Sequence, residues 1–374
     1  MSSERTHDVA IVGLGAMGSA AALELARRGV DVVGFDRFTP PHTMGSSHGD
    51  SRIIREAYFE HPVYVPMVQR AFELWRELER ASGAALLSPT GGLMIGAPDS
   101  VLVEGARRSA LLHGLAHEML SAAEIHARFP VLHPEPGMVG VWEPRAGVLA
   151  PEAGVAAQLD QARRHGATLH FDEPVDRWQL DGGVGVFTAQ RHCRARRLII
   201  SAGAWVASSL PGMRLPFQVE RQVLHWLSPA AHAEAFGPAR CPVHLWQIDG
   251  NRFFYGLPDM GAGVKLAFHH GGQTSSVDAV QRDVSAQDVD DLRAAVRRFV
   301  PAADGHPITS SVCLYTNTPD EHFWIDHLPG QPQVLVASPC SGHGFKFAPV
   351  VGEIVADLVQ GRPARFDLGL FRWR

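Results

Sequence analysis

The chain opens on an apolar run, Val9–Val12, of the kind that builds a strand buried on both faces. Small residues and Met17, Ala21, Leu23 and Leu25 then predict a helix over Ala16–Arg28, with Gly29 placed to end it. Val30–Phe35 read as a second strand, closed by Asp36. A long stretch rich in Pro, Gly and Ser follows, and long ordered loops in compact domains are often functional. Val68, Phe72, Trp75 and Leu78 then mark one face of an amphipathic helix over Pro66–Ala81. Residues 86–96 alternate as strands do. A helix is predicted from Pro151 to Gly166, then short strands at Thr168–Phe171, Gly183–Phe187 and Arg196–Ile200, the last running into SAGAW at Ser201. Val219–Leu227, His244–Gln247, Arg252–Tyr255 and Val264–His269 are β-like and antiparallel in flavour. Asp288–Phe299 predict a helix, Val334–Ala337 a strand, and Gly352–Val359 the end of a last helix closed by Gly361.

The first elements carry a chemical signature. Gly13, Gly15 and Gly18 stand in the spacing GxGxxG between the first strand and the first helix. Gly13 suits a tight turn, Gly15 a backbone that must approach a pyrophosphate, and Gly18 a close helix–strand contact. The helix N-terminus offers unpaired N–H groups to phosphates. Asp36, at the end of the second strand, is placed to accept from ribose hydroxyls. The motif predicts a dinucleotide and leaves open whether it is FAD or a nicotinamide.

The length of 374 residues predicts about two domains, and a hydrophobic content of 45% is ample for their cores. The net charge of −5 gives no basic field for nucleic acid. No apolar run approaches a membrane span, and the first hydrophobic run is the nucleotide strand, not a signal peptide. Cys193, Cys241, Cys313 and Cys340 are scattered with no CxxC pair, which fits a reducing cytoplasm and no disulfide framework. Cys340 and His343 have ligand-like spacing but no second pair, so no metal is expected.

Two blocks near the C-terminus are denser in polar groups than a core tolerates: VCLYTNTPDEHFWID from Val312, and SGHGFKF from Ser341 to Phe347. They read as one wall of a site. Tyr315 lies two residues after Cys313, so on a strand both face the same side. The order of elements predicts an α/β chain. Residues 1–84, 146–216 and 320–374 form the nucleotide domain, and residues 85–145 and 217–319 form an inserted, mostly antiparallel substrate domain.

The segments GLGAMG, PPHTMGSSHGDSRIIREAY, FYGLP followed by VKLAFHHGGQ, CLYTNTPDEHFWID and SGHGFKF carry a resemblance that runs over almost the whole chain. The chain resembles the family of monomeric sarcosine oxidase and N-methyl-L-tryptophan oxidase, flavin-dependent amine oxidases. The resemblance implies a Rossmann-like FAD-binding domain of the glutathione-reductase type and a substrate domain like that of D-amino-acid oxidase. Gly13, Gly15, Gly18, Asp36, Gly342 and Gly344 would then hold FAD, covalently attached through Cys313. Arg55 and Lys346 match the clamp for a substrate carboxylate, and Lys265 the lysine that activates oxygen. His48 and Arg52 match residues near the flavin ring, and His269, Tyr255 and Tyr315 the lining of the substrate pocket. The implied partners are a small amino acid and oxygen, acted on by a monomer. Sarcosine leads as substrate, giving glycine, formaldehyde and hydrogen peroxide. N-methyl-L-tryptophan and cyclic imino acids such as proline or pipecolate are the alternatives, and a nicotinamide dehydrogenase is the alternative of another class. Trp246, in LWQIDGNRFF, falls near the expected pocket entrance, and the stretch around residues 86–141 is the least family-like.

Overall fold

Thr6–Val12 lies between Val32–Phe35 and His192–Ile200, parallel to both, in an eight-stranded sheet. The computed structural model describes residues 6–210, 212–213, 215–338 and 340–373. Val32–Phe35 is buried at all four positions, as a strand covered on both faces must be. The C-terminal strand Gln331–Ala337 pairs with His192–Ile200 and so completes the sheet from the far end of the chain. Helices Ala16–Arg27, Pro151–Arg164 and Ala348–Val359 pack together beside this sheet, joined by Tyr64–Ser82. Their apolar faces and the strands share one core that includes Leu25, Trp75, Val155 and Val351.

A second, nine-stranded sheet takes its strands from Leu120's neighbourhood, from Gly92–Gly96 and Val139–Glu143, and from Gln218 to Asn317. It is antiparallel except where Val243–Ile248 runs parallel to Gly92–Gly96. Its two faces do different things. In register, Phe253 opposes His269, Tyr255 opposes Ala267, and Leu257 opposes Lys265. Cys313 opposes Gln222, and Tyr315 opposes Glu220. Because side chains alternate along a strand, Phe253, Tyr255, Lys265, His269, Cys313 and Tyr315 all project from one face.

The other face carries Trp246, Phe254 and Leu266 into a separate core with Leu292, Val296 and Phe299 of the helix Ala286–Phe299. This corrects the placement of Trp246. Its ring is fully buried against Phe299, 5.1 Å between centroids, and its Nε1 donates to His244 Nδ1 at 2.7 Å. It is a core residue on the side of the sheet away from the site, because strand parity pairs it with Phe254 and not with Tyr255.

A small third sheet is built from Arg52–Ile54, Gly147–Leu149 and Leu87–Pro89. Its first strand lies inside the stretch expected to be loop, since three residues are too few to show a period. The helix Val101–His113, with Ser100 capping its N-terminus, falls in the stretch that the sequence left unassigned. Two exposed leucines, Leu111 and Leu112, blur its polar face.

Candidate active site

The first turn has the spacing the motif demands. Gly13 has φ +89°, and a Cβ there would come 2.6 Å from Ser201 O; one at Gly18 would come 1.8 Å from Gly13 O. Both glycines are therefore needed by the fold itself. Gly15 differs: its nearest neighbour would be Ser47 Oγ at 3.4 Å, and the residue faces open space. Ser47 Oγ accepts from Ala16 N at 3.1 Å at the head of the first helix. The Asp36 carboxylate accepts from Leu14 N at 2.7 Å and Phe38 N at 2.9 Å, which fixes it at the end of its strand.

A cleft of about 530 Å³ starts at this turn. Gly13, Gly15 and Asp36 line one end, and Arg52, Cys313, Tyr315, Gly342 and Gly344 line the other. One continuous space thus joins the nucleotide-binding turn to a thiol. That shape fits a long dinucleotide whose far end reaches Cys313.

Cys313 is buried in the strand Pro307–Asn317, and Arg52 Nη2 points at its sulfur from 3.6 Å. The same guanidinium donates to Ser46 O at 3.0 Å and Ser51 O at 2.9 Å, so its charge is held in place. Cys340 also lines the cleft, but burial pushes its thiol up to about 12. Gly342 has φ +76°, and a Cβ there would strike the Tyr315 ring at 2.4 Å; one at Gly344 would strike Cys340 Cβ at 1.9 Å.

Lys265 is buried and points inward. Its Nζ donates to Gly49 O at 2.6 Å and Ser51 O at 2.7 Å, with the Trp226 ring centroid 5.3 Å away. Burial, with Arg52 adding to it, drives the lysine well below its ordinary value. His48, buried nearby, is driven down to about 3 by burial and then by Arg52 and Lys265. Its Nε2 has no hydrogen-bond partner among the described residues. His269 Nδ1 and the Tyr315 hydroxyl share a hydrogen bond of 3.0 Å, beside Tyr255.

Arg55 and Lys346 belong to one buried charged group; two of its members, Tyr58 and Glu60, were not singled out from sequence, and His343 was weighed only as a metal ligand. Arg55 Nη2 donates to both oxygens of Glu60 at 2.8 Å, and Nη1 donates to Ala57 O at 3.0 Å. The guanidinium lies over Tyr58, 4.3 Å from the ring centroid. Lys346 Nζ donates to His343 O at 2.7 Å and lies 3.4 Å from the Tyr58 hydroxyl. His343 Nε2 donates to Glu321 O at 2.9 Å, which leaves Nδ1 to accept from Tyr58 at 2.6 Å. Burial and then the Arg55 charge pull Lys346 down to about 7, against the opposing effect of Glu60. Burial alone would raise Glu60, but Arg55, His343 and Lys346 outweigh it and hold the carboxyl low. Tyr58 and Glu60 follow Arg55 in REAYFE and His343 stands inside SGHGFKF, but neither segment shows that the two meet.

A parallel nucleotide sheet whose glycine turn opens into the cleft beneath a thiol, with buried cations beside it, defines a dinucleotide-dependent oxidoreductase. The chain belongs to the FAD dependent oxidoreductase family, which it matches over residues 8–358. It is 44% identical over 371 residues to monomeric sarcosine oxidase of Streptomyces avermitilis, covering 98% of this chain and 97% of that one. It is 35% identical over 369 residues to N-methyl-L-tryptophan oxidase of Salmonella heidelberg, covering 98% of each. The fold resembles NikD, an amino acid oxidase of nikkomycin biosynthesis, with a TM-score of 0.85, 24% identity, and coverage of 98% of this chain and 97% of that one. Glycine oxidase of Geobacillus kaustophilus follows with a TM-score of 0.82, 22% identity, and coverage of 100% and 99%.

Proposed function

We propose that this protein oxidises N-methyl amino acids with oxygen as acceptor, sarcosine foremost, yielding glycine, formaldehyde and hydrogen peroxide. The observation that carries the reading is the face of the nine-stranded sheet that holds Cys313, Lys265, Tyr255, Tyr315 and His269 together, with the Arg55–Lys346 cations beside it. The relatives named for sarcosine and N-methyl-L-tryptophan support it.

FAD, when bound in the cleft, supplies the acceptor for the hydride of the N-methyl carbon and passes the electrons to oxygen. Gly13, Gly15 and Asp36 would hold its nucleotide end, with Gly18 packing the helix against the turn, and Gly342 and Gly344 would shape the wall at its other end. Cys313 would anchor it as a thioether. Arg52 Nη2 lies next to the Cys313 sulfur, whereas burial holds Cys340 as an unreactive thiol.

Arg55 and Lys346 receive the substrate carboxylate, and a two-point hold fixes the methyl group for transfer. Tyr255, Tyr315 and His269 wall the space for the amine. His48 and His269 are both pushed down by burial and stay neutral, so neither adds a charge that would repel a substrate cation. Lys265, with two of its three donors on Gly49 and Ser51, keeps one for the oxygen side.

We read the division at residues 1–84, 146–216 and 320–374 against 85–145 and 217–319 as the two working units, since each large sheet draws its strands from one set. Within this reading the protein acts as a monomer in the cytoplasm. The test is a peroxide assay across sarcosine, N-methyl-L-alanine, N-methyl-L-tryptophan, proline and pipecolate, with formaldehyde measured in parallel. Peroxide and formaldehyde from sarcosine at the highest kcat/KM are expected. Peroxide from proline or pipecolate alone would overturn the N-methyl reading.

A further inference from the structure

We infer that the stacked pair Phe59 and Phe253 sets the size of the α-substituent that the site admits, which makes the substrates secondary amino acids with little or no side chain. This rests on the reading of the site as one for N-methyl amino acids.

Phe253 projects from the same sheet face as Tyr255, two residues along its strand, and opposes His269 in register. Its ring meets His269 edge-on, centroids 6.4 Å apart. Phe59 comes from the other side of the site, on the segment that follows Arg55. The Arg55 guanidinium lies over its ring, 4.9 Å from the centroid. The two phenylalanine rings stack at 5.5 Å and 22°. Stacked aromatic rings at that separation are in van der Waals contact, and no third group fits between them. Phe59 touches the Arg55 guanidinium and Phe253 touches His269, so the pair stands between the residues proposed to hold the carboxylate and those proposed to wall the amine, where an α-substituent would point.

The pair is also braced from behind. A Cβ at Gly105, on the helix Val101–His113, would come 2.5 Å from Phe59 O, so that helix sits directly against the Phe59 backbone. Ser109 on the same helix donates to Tyr58 O at 2.6 Å. Glu143 accepts from Glu56 N at 2.6 Å and Ala57 N at 2.8 Å. The backbone of segment 56–59 is thus held at consecutive residues, which fixes where the Phe59 ring starts. A large side chain must displace a braced ring, whereas hydrogen or methyl need not.

The test compares holoenzymes carrying Phe59→Ala, Phe253→Ala and the milder Phe253→Leu with the natural protein. Two ratios are measured: kcat/KM for N-methyl-L-phenylalanine over sarcosine, and, by calorimetry without turnover, the Kd for acetate over that for phenylacetate. Both should rise about tenfold or more in the alanine variants and less in Phe253→Leu, as expected when a pocket gains room for an apolar group. A rise in the binding ratio with no amine oxidised would uphold the size filter and overturn the proposed activity instead. Unchanged ratios in folded variants, or a natural protein that already prefers the bulky ligands, would overturn the inference.

Discussion

Arg55 and Glu60 hold each other face to face, both carboxylate oxygens 2.8 Å from one guanidinium nitrogen. The residue placed to receive a substrate carboxylate therefore already has one. Binding must loosen that pair or share it. Glu60→Gln keeps the shape and removes the competing charge, so the KM for sarcosine should fall. The same variant leaves Arg55 buried without its counter-charge. Breaking such a pair costs about 3–5 kcal/mol, so the melting temperature should drop as well. Arg55→Ala should instead raise KM. A Glu60→Gln enzyme with a higher KM would show that the pair assists binding.

Lys346 should make carboxylate binding depend on pH. Its ordinary value is 10.5 and the buried site brings it to about 7. The charged form is the one that holds a carboxylate, so affinity is full below about 7 and is lost as pH rises through that value. Acetate, which has no amine of its own to titrate, isolates the effect. Its Kd should weaken by up to about tenfold per pH unit above 7, and Lys346→Met should bind weakly at every pH. A natural protein with a flat profile between pH 6 and 9 would remove Lys346 from the binding step.

The proposed bond through Cys313 is checked by acid precipitation. Yellow colour should stay with the natural polypeptide, because a thioether survives unfolding, and should pass to the supernatant for Cys313→Ser. Cys340→Ser should keep the colour in the pellet, since that thiol is held protonated by burial. A colourless pellet from the natural protein would exclude the bond.

Lys265→Met should slow reoxidation by oxygen far more than reduction by substrate. One preorganised charged group is typically worth about 3–4 kcal/mol, or roughly two to three decades in rate. Stopped-flow measurement of the two halves separately decides it. Loss of the reductive half alone would place Lys265 on the substrate instead.

Glu143 links stability to pH. Its carboxyl accepts two backbone N–H groups, which favour the ionised form, but burial outweighs them and raises it to about 7. A raised carboxyl contributes stability that is complete below its ordinary value of 4.5 and is lost as pH rises through about 7. The melting temperature should therefore fall across that window less steeply in Glu143→Gln than in the natural protein. Equal slopes would show that Glu143 does not titrate there.

Much of this was open to reading from the chain, and the limits have identifiable causes. The glycine turn declares itself because its function and its packing need the same residues. Lys265 and Tyr315 lie on strands whose alternation is visible, although alternation alone does not say which face is the inner one. Trp246 shows the difficulty: both faces of its sheet are buried, one by the site and one by the helix Ala286–Phe299, so hydrophobicity does not tell them apart. Glu60 and Tyr58 escaped notice, and His343 was weighed only as a metal ligand, for another reason. Their roles come from a crossing between the segment after Arg55 and the SGHGFKF turn, whose residues lie 285 positions apart for Tyr58 and His343. No local pattern reports such a meeting.

The placement of Gln331–Ala337 in the first sheet bears on how the protein is born. Thr6–Val12 leaves the ribosome early, but the sheet it centres gains this strand only when nearly the whole chain has been made. At roughly 5–20 residues per second, the interval is on the order of tens of seconds. Cys313 and Gly342, on the far wall of the cleft, arrive just as late. A nascent chain can thus shape the glycine turn but has nothing to close over a cofactor. Loading belongs to the finished polypeptide, and a chain cut short before Gln331 keeps the glycine turn but loses an edge of its sheet and the Gly342 side of the cleft.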